Sequence, residues 1–294
     1  MSELTQKKSS GIQGFEVRRY EAAHPPVRNI DQLAVEDPLE IVLCFRRRGL
    51  LVRKPISVTM RTPGMDEELA IGFLYTEGII HAVNAITEIE TGPSSSVKLT
   101  INSDVDIRRL ERHFYASSSC GVCGKTSLQA LEMNREIHLD AARPRISTEA
   151  LHGIPQLVRE RQSIFESTGA LHAAAFFDSN NHAMRICEDV GRHNAVDKLV
   201  GAELRSGRTD FSDLLMFVSG RAGFELVQKA IMSGVPLMAA VGAPSSLAVE
   251  LARKYNFTLI GFLRGNRFNL YSGSERIKSS DQIAMDFSDP VSEN

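Results

Sequence analysis

The residues best equipped for chemistry are two thiols three positions apart, in Cys120-Gly121-Val122-Cys123. They follow the small polar run Ala116-Ser117-Ser118-Ser119 and precede Gly124-Lys125, so the pattern predicts a mobile loop bracketed by helical segments. A helix N-terminus and a nearby cation both favour thiolate over thiol, and the thiolate is the form that attacks sulfur or binds metal. Gly121 and Gly124 give the backbone freedom to swing a sulfur toward a partner. Three chemistries are open to such a pair: half of a structural zinc site, a dithiol redox couple, or a nucleophilic, sulfur-carrying thiol. Zinc needs two more ligands, and the sequence holds no second Cys-x-x-Cys. The other two cysteines, Cys44 and Cys187, sit in apolar strand-like runs and read as buried and inert. A redox motif of the thioredoxin kind wants a strand before it, whereas a basic helix over 105–115 and the serine run precede this one. Zinc-dependent nucleobase deamination is excluded, because it needs His-x-Glu and none of the eight histidines has a Glu two residues on.

Three other segments suit an anion. Gly220-Arg221-Ala222-Gly223 follows an expected strand at 214–219, Gly242-Ala243-Pro244-Ser245-Ser246 follows one at 235–241, and Arg264-Gly265-Asn266-Arg267 follows one at 257–263. If these strands are parallel, the loops leave one sheet edge, where open α/β sheets bind ligands. Glycine backbone there, with Arg221, Arg264 and Arg267, favours a nucleotide-like phosphate. The polar patch from Glu188 to Lys198 admits two readings. In one, Gly191 makes a tight turn, Asn194 caps a helix, and His193 and Asp197, one turn apart, belong to a local ion pair. In the other it is a polar wall of the ligand cleft, with Asp189 or His193 bonding the edge of a base or pterin. His172, within Leu171-His172-Ala173-Ala174-Ala175, reads as a satisfied core histidine.

The elements that must position these groups fall into two textures. Residues 1–37 are polar and without pattern, read as a loosely held arm. Residues 38–145 read as a smaller α+β subdomain: strands at 39–45 and 50–60 around Arg46-Arg47-Arg48-Gly49, a helix opened by Asp66-Glu67-Glu68, short strands over 85–103, then the Cys-x-x-Cys loop and its helix over 125–134. Residues 146–273 read as an α/β cofactor-binding domain, with a helix over 147–166, a hairpin joining 170–178 to 182–188, and strands alternating with helices. A polar tail, 274–294, follows. A chain of 294 residues with 43% hydrophobic and 24% charged residues is long enough for a sizeable core. Its net charge of -2 gives no general field for nucleic acid, and no apolar run approaches the ~18 residues of a membrane span. Met1 to Gly11 lacks the apolar run of an export signal, so a cytoplasmic protein with reduced thiols is expected.

The strings themselves resemble a known family. Thr62-Pro63-Gly64 with Glu68-Leu69-Ala70 and Glu77-Gly78-Ile79-Ile80 forms its first block, and Ser119-Cys120-Gly121-Val122-Cys123-Gly124-Lys125 its second. Leu171 to Ala175, Glu188 to Lys198, Ser219 to Ala222, Ala243 to Glu250 and Gly261 to Arg267 follow in order. The chain resembles the formate dehydrogenase accessory sulfurtransferases (FdhD) over about residues 38–273. Ala170 and Gly223 stand where that pattern has Gly and Ser, small-for-small changes. The resemblance implies a cytidine deaminase-like layered α/β fold. It also implies a sulfur carrier that takes sulfane sulfur from a cysteine desulfurase as a persulfide. The sulfur passes to a molybdenum (or tungsten) bis-molybdopterin guanine dinucleotide needed by formate dehydrogenase. On this chain that makes Cys120 the persulfide carrier and Cys123 its partner. Phe262, Leu263, Arg264, Gly265, Asn266 and Arg267 become the cofactor-binding segment, beside Arg221, His193 and Asp189. The same resemblance implies a homodimer with a guanine nucleotide-like ligand, and neither a permanent cofactor nor a metal site is expected. The alternative is a non-catalytic molybdenum-cofactor chaperone whose Cys pair binds zinc or is redox-active.

Overall fold

The computed structural model describes residues 11–92, 95–102, 137, 139–140 and 143–278. The expected basic helix, the loop carrying Cys120 and Cys123, and the helix after it lie outside the described residues.

The N-terminal half is built on strand pairing. Leu39, Ile41, Leu43 and Phe45 on one face of β3 (Asp37–Arg47) are buried, and Val42 and Cys44 on the other face are buried as well, so the middle of this strand is covered on both sides. β3 pairs antiparallel with β4 (Leu50–Arg61) and parallel with β6 (Ser96–Ile101), which pairs with β5 (Ile86–Gly92), giving the order β4-β3-β6-β5. Helix α1 (Asp66–Thr76) opens with three acids, favourable against the positive end of its dipole, and buries Leu69, Ile71 and Leu74.

The expected patternless arm is corrected over Ile12 to Ala34. β1 (Ile12–Arg19) and β2 (Val27–Ala34) form an antiparallel hairpin in register from Ile12 with Ala34 to Arg19 with Val27. Most of its side chains are exposed on both faces, so no buried stripe marks it in the sequence; backbone pairing rather than core packing defines it.

The second sheet runs β13-β12-β11-β10-β8-β9. Its strands are β8 (His172–Phe177), β9 (Ala183–Asp189), β10 (Leu215–Val218), β11 (Leu237–Ala240), β12 (Thr258–Arg264) and β13 (Arg267–Ser272). β10, β11 and β12 are adjacent and parallel, as the loop argument required. β8 is antiparallel to both β10 and β9, so β9 points the same way as the parallel three. Helices α4 (Arg192–Arg205), α5 (Phe224–Met232) and α6 (Ser246–Lys254), together with α1, fill the space between the two sheets. One apolar cluster runs from Leu39 and Phe45 through Leu69, Leu199 and Ile231 to Met238 and Leu259. The opposite face of the larger sheet is covered by α2 (Thr148–Glu160), through Leu151, Ile154 and Val158.

Two boundaries differ from expectation. The helix expected over 147–166 is two, α2 and α3 (Ser163–Thr168), broken at Arg161 and Gln162. The Glu188 carboxylate accepts from the Ile164 and Phe165 amides and so starts a separate helix there. Ser274 to Lys278, expected in a polar tail, belong to the fold. β14 (Ile277–Lys278) pairs with β7 (Ile146–Ser147), and Arg276 is 0% exposed. Its guanidinium donates to the carbonyls of Asp140, Arg143 and Asn256 and to Thr258 Oγ1, which compensates its burial. Among the described residues no helix is long and apolar enough to cross a membrane.

Candidate functional site

The carboxyl ends of β9, β10, β11 and β12 and the start of β8 share one edge of the larger sheet, and backbone hydrogen bonds lace that rim together. The Ser219 amide donates to Ala173 O (2.9 Å), Gly242 to Gly220 O (2.9 Å) and Phe262 to Gly242 O (3.1 Å). Glycine is required at two of these points. A β carbon on Gly242 would lie 3.0 Å from the Arg221 Cα and 3.0 Å from Gly220 O, and one on Gly261 would lie 2.8 Å from Pro244 Cδ.

Along this rim Arg192, Arg221 and Arg267 are exposed, and no described residue pairs with their guanidiniums. Arg264 gives only its Nε, to Val241 O at 3.0 Å. The more buried arginines are matched, Arg61 with Asp66, Arg185 with Glu203 and Arg208 with Asp213. Exposed arginines such as Arg47, Arg48 and Arg253 are as free of described partners as those of the rim; what sets the rim apart is its place at the strand ends. A row of unmatched arginines at the carboxyl edge of parallel strands suits a polyanion.

The expected segment 262–267 is bent by a β-bulge: Gly261 pairs with Asn269 and Arg264 with Arg267, so Phe262 and Leu263 together oppose Phe268. Phe262 adopts a left-handed backbone (φ 54°), costly for a bulky residue, and the residue is 38% exposed. The bulge displays an aromatic face beside Arg264, while Gly265 and Asn266 make the exposed turn. Leu263 is corrected: its side chain is buried in the cluster under α2, so only its backbone belongs to the rim.

The polar patch divides. Asp189 is 0% exposed and pairs with Lys198 Nζ at 2.7 Å. It also accepts from the Thr62 amide (3.1 Å), the Gly191 amide (2.8 Å) and Asn194 Nδ2 (3.0 Å). Thr62 Oγ1 accepts from the Val190 amide and Thr62 O from Lys198. Asp189 is therefore corrected from a ligand contact to a clamp between the 59–62 segment and the rim, because its oxygens are already filled. Asn194 does not cap α4, whose N-cap is Gly191; its side chain turns back to Asp189 and to Met60 O (2.8 Å).

His193 and Asp197 do not pair with each other. His193 Nε2 lies 2.8 Å from Glu225 Oε2 at the half-exposed rim, and this hydrogen bond holds the Glu225 carboxyl below its usual range. Asp197 is buried with Lys229 (2.9 Å), Thr76 and, through Lys229, Glu77. Burial alone would lower the Lys229 ammonium, but Asp197 and Glu77 hold it above its ordinary value.

Sequence reasoning missed His172 as a rim residue. It opens β8 directly across from Asp189, is only half-buried, and lies against Gly220. The expected strand began at 170, so the sequence carried no signal for this; the register of β8 against β9 places it at the edge. Cys187 faces the core, where burial pushes its thiol up to about 12, and Cys44 is buried in the other sheet. Cys120 and Cys123 lie outside the described residues. Among those described, no three His, Cys, Asp or Glu side chains group as metal ligands.

The FdhD/NarQ family model matches residues 35–278, ending at the last described strand. The chain belongs to the FdhD/NarQ family. Its similarity to relatives named sulfur carrier protein FdhD is broad. The Streptomyces avermitilis protein is 46% identical over 84% of this chain and 89% of its own. Those of Mycobacterium tuberculosis and Saccharolobus solfataricus are 41% and 38% identical, over 88% and 90% of this chain and 99% of each relative. The fold is shared with the crystal structure of a protein assigned as a formate dehydrogenase accessory protein from Desulfotalea psychrophila, with TM-score 0.71, 22% identity, and coverage of 92% of this chain and 100% of that one. The FdhD/NarQ match takes in the clamp at Thr62, Cys120 and Cys123, and every rim arginine.

Proposed function

We propose that this chain is a sulfur carrier that accepts sulfane sulfur on Cys120 from a cysteine desulfurase and delivers it to a molybdenum or tungsten bis-molybdopterin guanine dinucleotide destined for formate dehydrogenase. The observation that carries the reading is the presence of Cys120-Gly121-Val122-Cys123 inside the span matched to a family whose relatives are named sulfur carriers. The unmatched rim arginines and the displayed Phe262 ring support the acceptor half, since such a substrate offers phosphates to guanidiniums and a flat base to an aromatic face.

Loading is a thiol exchange. The Cys120 thiolate attacks the terminal sulfur of the donor persulfide, the new Cys120 S–S bond forms as the donor's S–S bond breaks, and the donor leaves as thiolate. Delivery as sulfide reduces that sulfur by two electrons, which the Cys123 thiol supplies by closing a disulfide with Cys120. Each round then needs an external dithiol, or two thiol equivalents, to reduce that disulfide and reopen it. A likeness to the cytidine deaminase layering, a homodimeric state and a cytoplasmic site of action belong to the same proposal.

Intact-mass analysis after incubation with a cysteine desulfurase and cysteine tests it: one added sulfur atom on the wild type and none on Cys120→Ala is the expected result. Absence of the adduct on wild type, or an undiminished adduct on the variant, overturns it in favour of the chaperone reading.

A further inference from the structure

His172 stands at the centre of a cluster that the sulfur-carrier reading leaves unused. Its ring lies beside Gly220: a β carbon there would lie 3.4 Å from His172 Nδ1 and 3.5 Å from Cε1, ordinary contact distance, which places the ring against the loop after β10. The groups facing it are Arg192 and His193 from α4 and Asp189 from β9, with Glu225 of α5 behind His193. Asp189 is occupied by Lys198, and no described residue hydrogen-bonds the His172 ring. The imidazole therefore sits half-buried at the rim, near Arg192 and His193 and across the strand pair from an occupied carboxylate.

We infer that His172 is the proton-linked contact of the rim, becoming charged when a phosphate group seats between it, Arg192 and His193. The inference rests on the anion-binding reading above and adds to it a residue and a proton. In the ligand-free protein, burial first and then the charges of Arg192 and His193 hold the imidazole below its ordinary value, against a smaller opposing pull from Asp189. A phosphate placed among these groups offsets the Arg192 charge and adds a negative charge next to the ring, which reverses the balance. One proton then moves from buffer to a ring nitrogen, and the imidazolium donates it in a hydrogen bond to the phosphate.

GDP, a fragment of the proposed substrate, is the probe. Calorimetric titration near neutral pH in two buffers of different ionisation enthalpy should show proton uptake by the wild type exceeding that of His172→Gln. GDP affinity should weaken as pH rises, by up to about tenfold per pH unit, and that slope should flatten in the variant. His193→Gln should keep the uptake. An NMR titration of the wild-type His172 ring needs no substitution: with GDP its midpoint should move to higher pH. Equal uptake in wild type and His172→Gln, or an unmoved midpoint with GDP bound, overturns the role of His172 while leaving the anion site standing. Failure of GDP to bind at any pH overturns the anion site and this inference with it.

Discussion

Gly72 of α1 and Gly201 of α4 bring two helix backbones into direct contact. A β carbon on Gly72 would lie 1.8 Å from the Asp197 carbonyl oxygen, and one on Gly201 would lie 1.8 Å from that of Glu68. The crossing docks the four-stranded sheet onto the helix that supplies Lys198 and His193 to the rim. Neither position tolerates a methyl, because the obstacle is backbone rather than a side chain able to move aside. Gly72→Ala and Gly201→Ala should each lower stability by at least about 3 kcal/mol, read in urea denaturation. A loss under half of that would show that the helices separate easily and that the close crossing does not hold the two halves.

The Asp189 clamp makes a second prediction. Asp189→Asn keeps the shape but strands the buried Lys198 ammonium without its counter-charge. Stability should fall by about 3–5 kcal/mol, and the double variant Asp189→Asn, Lys198→Met should recover much of it. If Asp189→Asn matched wild type in stability while abolishing GDP binding, Asp189 would be a ligand contact after all.

The rim arginines should act on affinity and not on folding. Arg221→Ala and Arg267→Ala, which remove no ion pair or side-chain hydrogen bond with a described residue, should leave the melting temperature near that of wild type. Each should weaken GDP binding by about tenfold or more, less so at high salt. Phe262→Ala should cost about 1–3 kcal/mol of binding through lost base stacking. Equal affinity of all three variants for GDP would place the nucleotide elsewhere.

The position of His172 also predicts how ligand-free stability depends on pH. Its folded-state value lies below the ordinary 6.5, chiefly through burial. As pH falls through 6.5 the unfolded chain takes up a proton that the native ring resists, so this contribution is present above 6.5 and is lost toward the folded value. Urea denaturation from neutral to mildly acid pH should show a steeper loss for wild type than for His172→Gln. Parallel profiles would mean that the ring titrates alike in both states.

Much of the fold was legible in the sequence because its signals are local. The apolar residues from Leu39 to Phe45 mark a buried strand, and the apolar runs 214–219, 235–241 and 257–263 lie within two residues of β10, β11 and β12. Residue type and place alone also brought Arg221, Arg264 and Arg267 forward, as guanidiniums in glycine-containing loops after apolar strands. What a side chain faces is another matter. Asp189 and His193 look alike in the sequence, four residues apart in one polar patch, yet Thr62 and Lys198 enclose the first and the second meets Glu225 at the surface. His172 looks like a core residue among alanines until the register of β8 and β9 places it at the sheet's edge. The β1–β2 hairpin and buried Arg276 escaped for the same reason: backbone pairing and carbonyls contributed from distant segments leave no periodic trace. Sequence fixes which groups are available, whereas their exposure and charge depend on neighbours from other elements, some more than a hundred residues away as Thr62 is from Asp189, and only the folded chain brings those together.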